Sequence, residues 1–435
     1  MKYDFDNLPD RRGTGSLKWD VKENELPMWV ADMDFKICPE IGEALLRRAK
    51  IGAFGYFVVP DEWYEAYIGW WKTRHNFELK REGLIFTTGG IPAISSIVRK
   101  LTTPAEKVLL MTPVYNTFFN SILNNGRVAL EAPLSYTNGD SPADPAGCGA
   151  LAPPEDGSIV HSSAVTCNEE TSVLGVMGHY SIDWEDLEKK LSDPQCTLMI
   201  LCNPHNPIGR IWTAEELKRI GEICERNHVV VISDELHCDL TDPGYSYTPF
   251  ASVNEVNARI SVTCLSPSKT FNLAGMQSAA VYVTDPVLYH RVWRGLNTDE
   301  VAEPNAFACI SSAAAYKYGA EYLDEMREYI HSNKMLVEEY INKELPEIRL
   351  IDEHHATYLM WLDMGNYIGT AHDLQKYIRE KTGLFLSDGC VYGGNGSRFL
   401  RLNIATSRKN VQDGLNRLKQ ALQPLCHSEQ SEESS

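Results

Sequence analysis

"TLMILCNPHNPIGRIWTAEELKRIGEICERNHVVVISDELHCD", residues 197–239, decides the fold. Two short apolar runs, TLMILC and VVVISD, flank a segment with helical spacing. Neither run alternates apolar with polar residues. Each therefore reads as a strand buried on both faces, as in a parallel sheet covered by helices. Between them Thr213 and Glu216 have the spacing of a capping box. Leu217, Ile220 and Cys224 then follow along one helical face. Strand, helix and strand in this order make a βαβ unit, and so an α/β domain.

The same rhythm extends in both directions between residues 83 and 290, through GLIFTT, KVLLMT, RVALEAP, RISVTCL and SAAVYV. From about 305 the texture changes. One long helical stretch, AEYLDEMREYIHSNKMLVEEYINKEL, precedes the strand-like TYLMWLDM and FLRLNIAT, which are mixed with amphipathic segments. The expected organisation is a large α/β domain with a mostly parallel sheet over 46–295 and a smaller α+β domain over 296–425. Residues 1–45 are expected to pack with the smaller domain. Residues 139–178, rich in Pro, Ala, Gly and Ser, read as a loop insertion, and 426–435 as a disordered acidic tail.

Bulk properties narrow the function. A chain of 435 residues, 43% hydrophobic, is long enough for two packed domains. Its net charge of −18 disfavours nucleic acid and anionic membrane surfaces as partners. Eleven cysteines without a CxxC pair read as reduced thiols. The polar start has no apolar signal core, and no apolar stretch is long enough to span a membrane. A soluble, cytoplasmic protein is expected.

The residues that suggest chemistry lie at the ends of these strands. Lys269, in SPSKTFNLAGMQ (266–277), follows RISVTCL among small residues that let a ligand approach. A surface lysine is the ordinary alternative; a lysine at a strand end can instead bond covalently to an aldehyde. Asp234 ends VVVISD, either as a helix cap or as a partner for a protonated ring nitrogen. Asn206, in NPHNPIGR, belongs to a turn or donates to a ring oxygen. Gly89 and Gly90 open a helix whose first turn carries Pro92, a structural turn or a phosphate cradle. Tyr115 follows KVLLMT, as core packing or as a stacking surface.

Taken in order, glycine turn, aromatic, Asn, Asp and Lys resemble the pyridoxal 5′-phosphate enzymes of the aspartate aminotransferase-like fold, fold type I. The likeness covers about residues 5–425, apart from the insertion and the tail. It implies that Lys269 carries the cofactor covalently and acts as the catalytic base. Asp234 would pair with the ring nitrogen, Asn206 would contact the ring hydroxyl oxygen, and Tyr115 would stack on the ring. Gly89, Gly90 and Ile91 would hold the phosphate, helped by Ser266 and Ser268. Tyr56 would reach the phosphate from the other subunit, which implies a homodimer with shared sites. Arg401, in FLRLNIA, would grip the substrate carboxylate with its planar fork.

Two positions depart from the aminotransferase pattern. His237 stands where a tyrosine is usual, and Gln277 where many members have arginine. Both departures are shared by the MalY/PatB-type cystathionine β-lyases, which the chain also resembles in LPMWVADMDF (26–35), FGY (54–56) and ATYLMWLDM (356–364). This resemblance implies β-elimination of a sulfur amino acid. The alternatives are transamination, or a regulatory protein that keeps the fold and contacts a transcription activator.

Overall fold

A computed structural model describes residues 2–138, 177–367 and 369–426. Most of the expected insertion and all but the first residue of the tail lie outside the described residues.

All seven runs read as strands between residues 83 and 290 lie in one sheet. They are β1 (Leu84–Thr87), β2 (Lys107–Thr112), β3 (Val128–Pro133), β4 (Cys196–Cys202), β5 (Val230–Asp234), β6 (Ser261–Leu265) and β7 (Ala279–Tyr282). The order is β1-β7-β6-β5-β4-β2-β3. Only β7 runs antiparallel to its neighbours. The lack of alternation has the expected cause. Val108 and Leu110 of β2 pack into one helical layer with Ile94, Ile97 and Val98. Leu109 and Met111 face the opposite layer, with Leu217, Ile220 and Cys224. Successive side chains thus enter different cores, and both must be apolar. The Thr213–Glu216 capping box is formed, at the head of the helix Ala214–Arg226.

One strand differs from its expected extent. RISVTCL begins as helix, because Glu255–Ile260 is helical and β6 starts at Ser261. Asn254 caps that helix by accepting from Asn257 N. The buried Asn257 then donates to Leu217 O at 2.9 Å, against Gly221, where a Cβ would meet Asn257 Oδ1. This tertiary contact overrides the β-preference of Ile260.

A second sheet, antiparallel and three-stranded, combines β8 (Leu359–Asp363), β9 (Ser387–Asp388) and β10 (Phe399–Asn403) in the order β8-β10-β9. Arg401 sits in the middle strand, paired with Trp361 on one side and Ser387 on the other. The N-terminal arm runs beside this sheet. Leu26–Pro27 pairs in parallel with Leu384–Phe385, Asn403 N donates to Met28 O, and Asp34 N donates to Ala405 O. The arm thereby delivers Trp29 and Ala31 to the ends of the large sheet. No helix among the described residues is long and apolar enough to cross a membrane.

Candidate active site

Sheet register brings the site together. Cys202 is opposite Asp234, and Asp234 is opposite Cys264, so β4, β5 and β6 end level. Asn206 lies four residues beyond Cys202, and Lys269 four beyond Leu265. All three residues therefore emerge at the carboxyl edge of the sheet, where ligands bind in open α/β folds. They line one cavity of ≈ 150 Å³, together with Gly89, Gly90, Ile91, Tyr115, His237, Ser266 and Ser268.

Gly89 caps the helix Gly90–Leu101, which starts where β1 ends. Ala93 N bonds back to Gly89 O, and Pro92 has no N–H. The amides of Gly90 and Ile91 are thus the first-turn donors with no helical carbonyl to serve, at the positive end of the helix dipole. A Cβ at Gly90 would lie 2.8 Å from Leu236 Cδ2, so glycine is what lets this turn approach the Asp234 loop.

Lys269 Nζ donates to Ala31 O at 2.7 Å, and Tyr358 Oη donates to the same carbonyl at 3.0 Å. Burial, with the Arg401 guanidinium nearby, pulls the Lys269 ammonium down to about 8; Asp32 and Asp234 oppose this. Burial pushes the Asp234 carboxyl up to about 6, held back by the Leu236 N–H and by the charge of Lys269. The lysine therefore yields its proton far more readily than an ordinary lysine, while remaining mostly protonated at neutral pH, and a carboxylate lines the same cavity. Burial and the charges of Lys269 and Arg401 lower His237 to about 3, which makes it a neutral imidazole. Its buried Nδ1 has no partner among the described residues.

Arg401 is buried. It donates to Asn206 Oδ1 at 3.0 Å and to Trp29 O at 2.8 Å, and lies over the Tyr392 ring. Its Nε is buried without a partner among the described residues. A guanidinium with an unmet donor beside a cavity suits a carboxylate ligand. The Arg401 bond also orients Asn206, whose Oδ1 is engaged and whose NH₂ is left as the donor group.

Ser266 lines the cavity but its hydroxyl is engaged within the chain, and Tyr56 stands apart from the cavity. Ser266 Oγ donates to Ser278 O and accepts from Ser268 N, so its hydroxyl braces the loop within the chain. Tyr56 is far from burial and fully exposed, and the single chain does not bring it to the cavity. The sequence alone did not assign Ala31, Trp29 or Tyr358 to the site. Their signal lay in LPMWVADMDF and ATYLMWLDM, whose geometry appears only once the arm and both sheets meet. Gln277 lines the cavity in a left-handed conformation (φ 54°). Burial holds the thiols of Cys202 and Cys264 well above the ordinary range, so they are packing groups rather than nucleophiles.

The geometry fits comparison with known proteins. The family model for aminotransferase class I and II matches residues 165–418, and the chain belongs to that family. It is 38% identical to the cystathionine β-lyase PatB of Bacillus subtilis, over 96% of this chain and 99% of the relative. The protein MalY of Escherichia coli is 28% identical, over 97% of this chain and 100% of the relative. A solved structure of the pyridoxal phosphate-bound C–S lyase of Staphylococcus hominis superposes with a TM-score of 0.81 at 29% identity, covering 97% of this chain and 99% of that one. Within the family, this chain is of the MalY/PatB type, with the fold type I architecture.

Proposed function

We propose that this chain is a pyridoxal 5′-phosphate-dependent carbon–sulfur β-lyase. It cleaves L-cystathionine or a related cysteine S-conjugate to a thiol, pyruvate and ammonia. The observation that carries this reading is a lysine with a lowered pKa in one cavity with Asp234 and Asn206, with Arg401 bonded to Asn206 beside it.

The residues present fit the cofactor. Gly90 and Ile91 N–H groups would receive its phosphate, Asp234 would hold the proton on its ring nitrogen, and Asn206 would face its ring oxygen. Tyr115 would cover one face of the ring, and His237 would adjoin it. When bound, the group supplies an electron sink for the pair left as the substrate Cα proton departs.

The chain's own residues do the rest. Lys269 would hold the cofactor covalently and would be released from it when substrate binds. Its freed Nζ then takes the Cα proton, and the C–S bond breaks with the electron pair leaving on sulfur. That sulfur is protonated as the thiol, and the three-carbon remainder hydrolyses to pyruvate and ammonia. Arg401 fixes the carboxylate so that the Cα–H bond faces Lys269, an orientation effect worth several kcal/mol, roughly. Cystathionine supplied alone should yield thiol and pyruvate in equal amounts. Consumption of cystathionine without pyruvate would contradict the proposal.

The lowered pKa of Lys269 has its own consequence. A protonated Nζ has no lone pair for the cofactor aldehyde. Attachment of pyridoxal 5′-phosphate to cofactor-free chain should therefore speed up with rising pH through about 8 and level off above it. Stopped-flow absorbance measures this directly. A midpoint near the ordinary lysine value of 10.5 would show that the site does not lower the pKa.

The active form is a homodimer with shared sites. Support comes from the exposed apolar run Ile51, Phe54, Tyr56 and Val58, too much contiguous apolar surface for a solvated loop. Tyr56→Ala and Lys269→Ala variants, each inactive alone, should regain activity when unfolded and refolded together. The mixed dimer then has one site with both residues intact. No recovery would place Tyr56 outside the partner's site.

A further inference from the structure

The loop bearing Lys269 is held from behind by a buried carboxylate that does not reach the cavity. Asp239 lies five residues beyond Asp234, and the cavity lining does not include it. Its Oδ1 receives Trp70 Nε1 at 3.0 Å and His75 Nε2 at 2.7 Å, both from the helix Asp61–His75. Its Oδ2 receives Thr270 Oγ1 at 2.8 Å. Thr270 follows Lys269 directly and is fully buried. One carboxylate thus joins the Asp234 loop, the Lys269 loop and a helix of the large domain. Burial pushes the Asp239 carboxyl up, but His75, Thr270 and Trp70 outweigh it and hold it below its ordinary value. It is therefore an ionised acceptor, and charge-assisted bonds are the stronger kind.

The rest of the loop is fixed independently. Asn272 Nδ2 donates to Met33 O, Ser266 Oγ donates to Ser278 O, and Phe271 is buried against Trp70. None of these contacts involves the residue beside the lysine. The Thr270–Asp239 bond sets the backbone at that point relative to Asp234.

We propose that Asp239 is a positioning residue for Lys269. Through Thr270 it fixes the distance between the lysine and the Asp234 loop, and so how tightly the covalently held cofactor is retained. This rests on Lys269 being the residue that holds the cofactor. No group given a role above includes Asp239 or Thr270.

The test compares Thr270→Val, Thr270→Ser and Asp239→Asn as loaded enzyme, by the rate at which pyridoxal 5′-phosphate is lost on dilution, read as decay of the visible absorbance. Thr270→Val removes the hydroxyl but keeps the shape, and Phe271 and Asn272 keep the loop folded. Its cofactor should leave about tenfold faster, the effect of losing one hydrogen bond to a charged group. Asp239→Asn should match or exceed this. Thr270→Ser, which retains the donor, should stay within about twofold of the wild type. A purely structural role predicts a lower thermal midpoint in the cofactor-free Thr270→Val chain with an unchanged release rate; that result overturns the proposal, as does Thr270→Ser behaving like valine. If the wild type itself never gains visible absorbance, the cofactor assignment fails first and takes this proposal with it. A normal wild type with a normal Thr270→Val variant overturns this proposal alone.

Discussion

Lys269→Ala should lower turnover of cystathionine on the order of 10⁴-fold, the upper range for loss of a positioned general base, and should abolish the visible absorbance of bound cofactor. The chain should remain folded. The Nζ makes one bond, to Ala31 O, and that carbonyl keeps the Tyr358 hydroxyl as a donor. Ser266, Thr270 and Asn272 still anchor the loop. Lys269→Arg separates charge from basicity, because a guanidinium stays protonated and cannot take the Cα proton. It should be as inactive as alanine. Folded Lys269→Ala protein with activity within tenfold of the wild type would remove Lys269 from the reaction.

Arg401→Lys should cost about 2–4 kcal/mol, as for a buried charged contact broken on one side, or roughly 30- to 1,000-fold in kcat/KM. Lysine keeps the charge but loses the fork that spans Asn206 Oδ1 and Trp29 O. It leaves Asn206 without its orienting donor, and a point charge cannot hold both carboxylate oxygens in one plane. KM should rise, because the grip is present before the reaction begins. A smaller fall in kcat should accompany it, because the Cα–H bond is less well aligned. A substrate whose α-carboxylate is replaced by a carboxamide supplies the control. The wild type should handle it poorly, and Arg401→Lys should be no worse. If both substrates lose equally, Arg401 acts on the fold rather than on the carboxylate.

Much of the fold could be read from the sequence because burial on both faces leaves a direct trace. Val108 and Leu109 must both be apolar when each enters a different core, and no amphipathic alternation competes with that signal. The start of β6 could not be read, because Asn257 reaching across to Leu217 O decided it, a contact distant in sequence. Lys269, Asp234 and Asn206 could be located because each lies at, or within four residues of, the end of a strand whose run of apolar residues announces its own end. Their meeting point depends on register, Cys202 to Asp234 to Cys264, which follows from strand order. Ala31 and Tyr358 were illegible as site residues for a different reason. Ala31 serves through its carbonyl, which every residue possesses, and Tyr358 by pointing at that carbonyl. Asp239 sat in plain view within SDELHCD, but three buried donors were needed to show what it holds.

The central claim, elimination rather than transamination, meets its most direct test in cystathionine turnover measured with and without an added 2-oxo acid. Thiol and pyruvate should appear at the same rate in both cases, with no new amino acid formed from the added acid. Turnover that waits for the 2-oxo acid, and converts it to the matching amino acid without thiol release, would contradict the account and make the chain a transaminase.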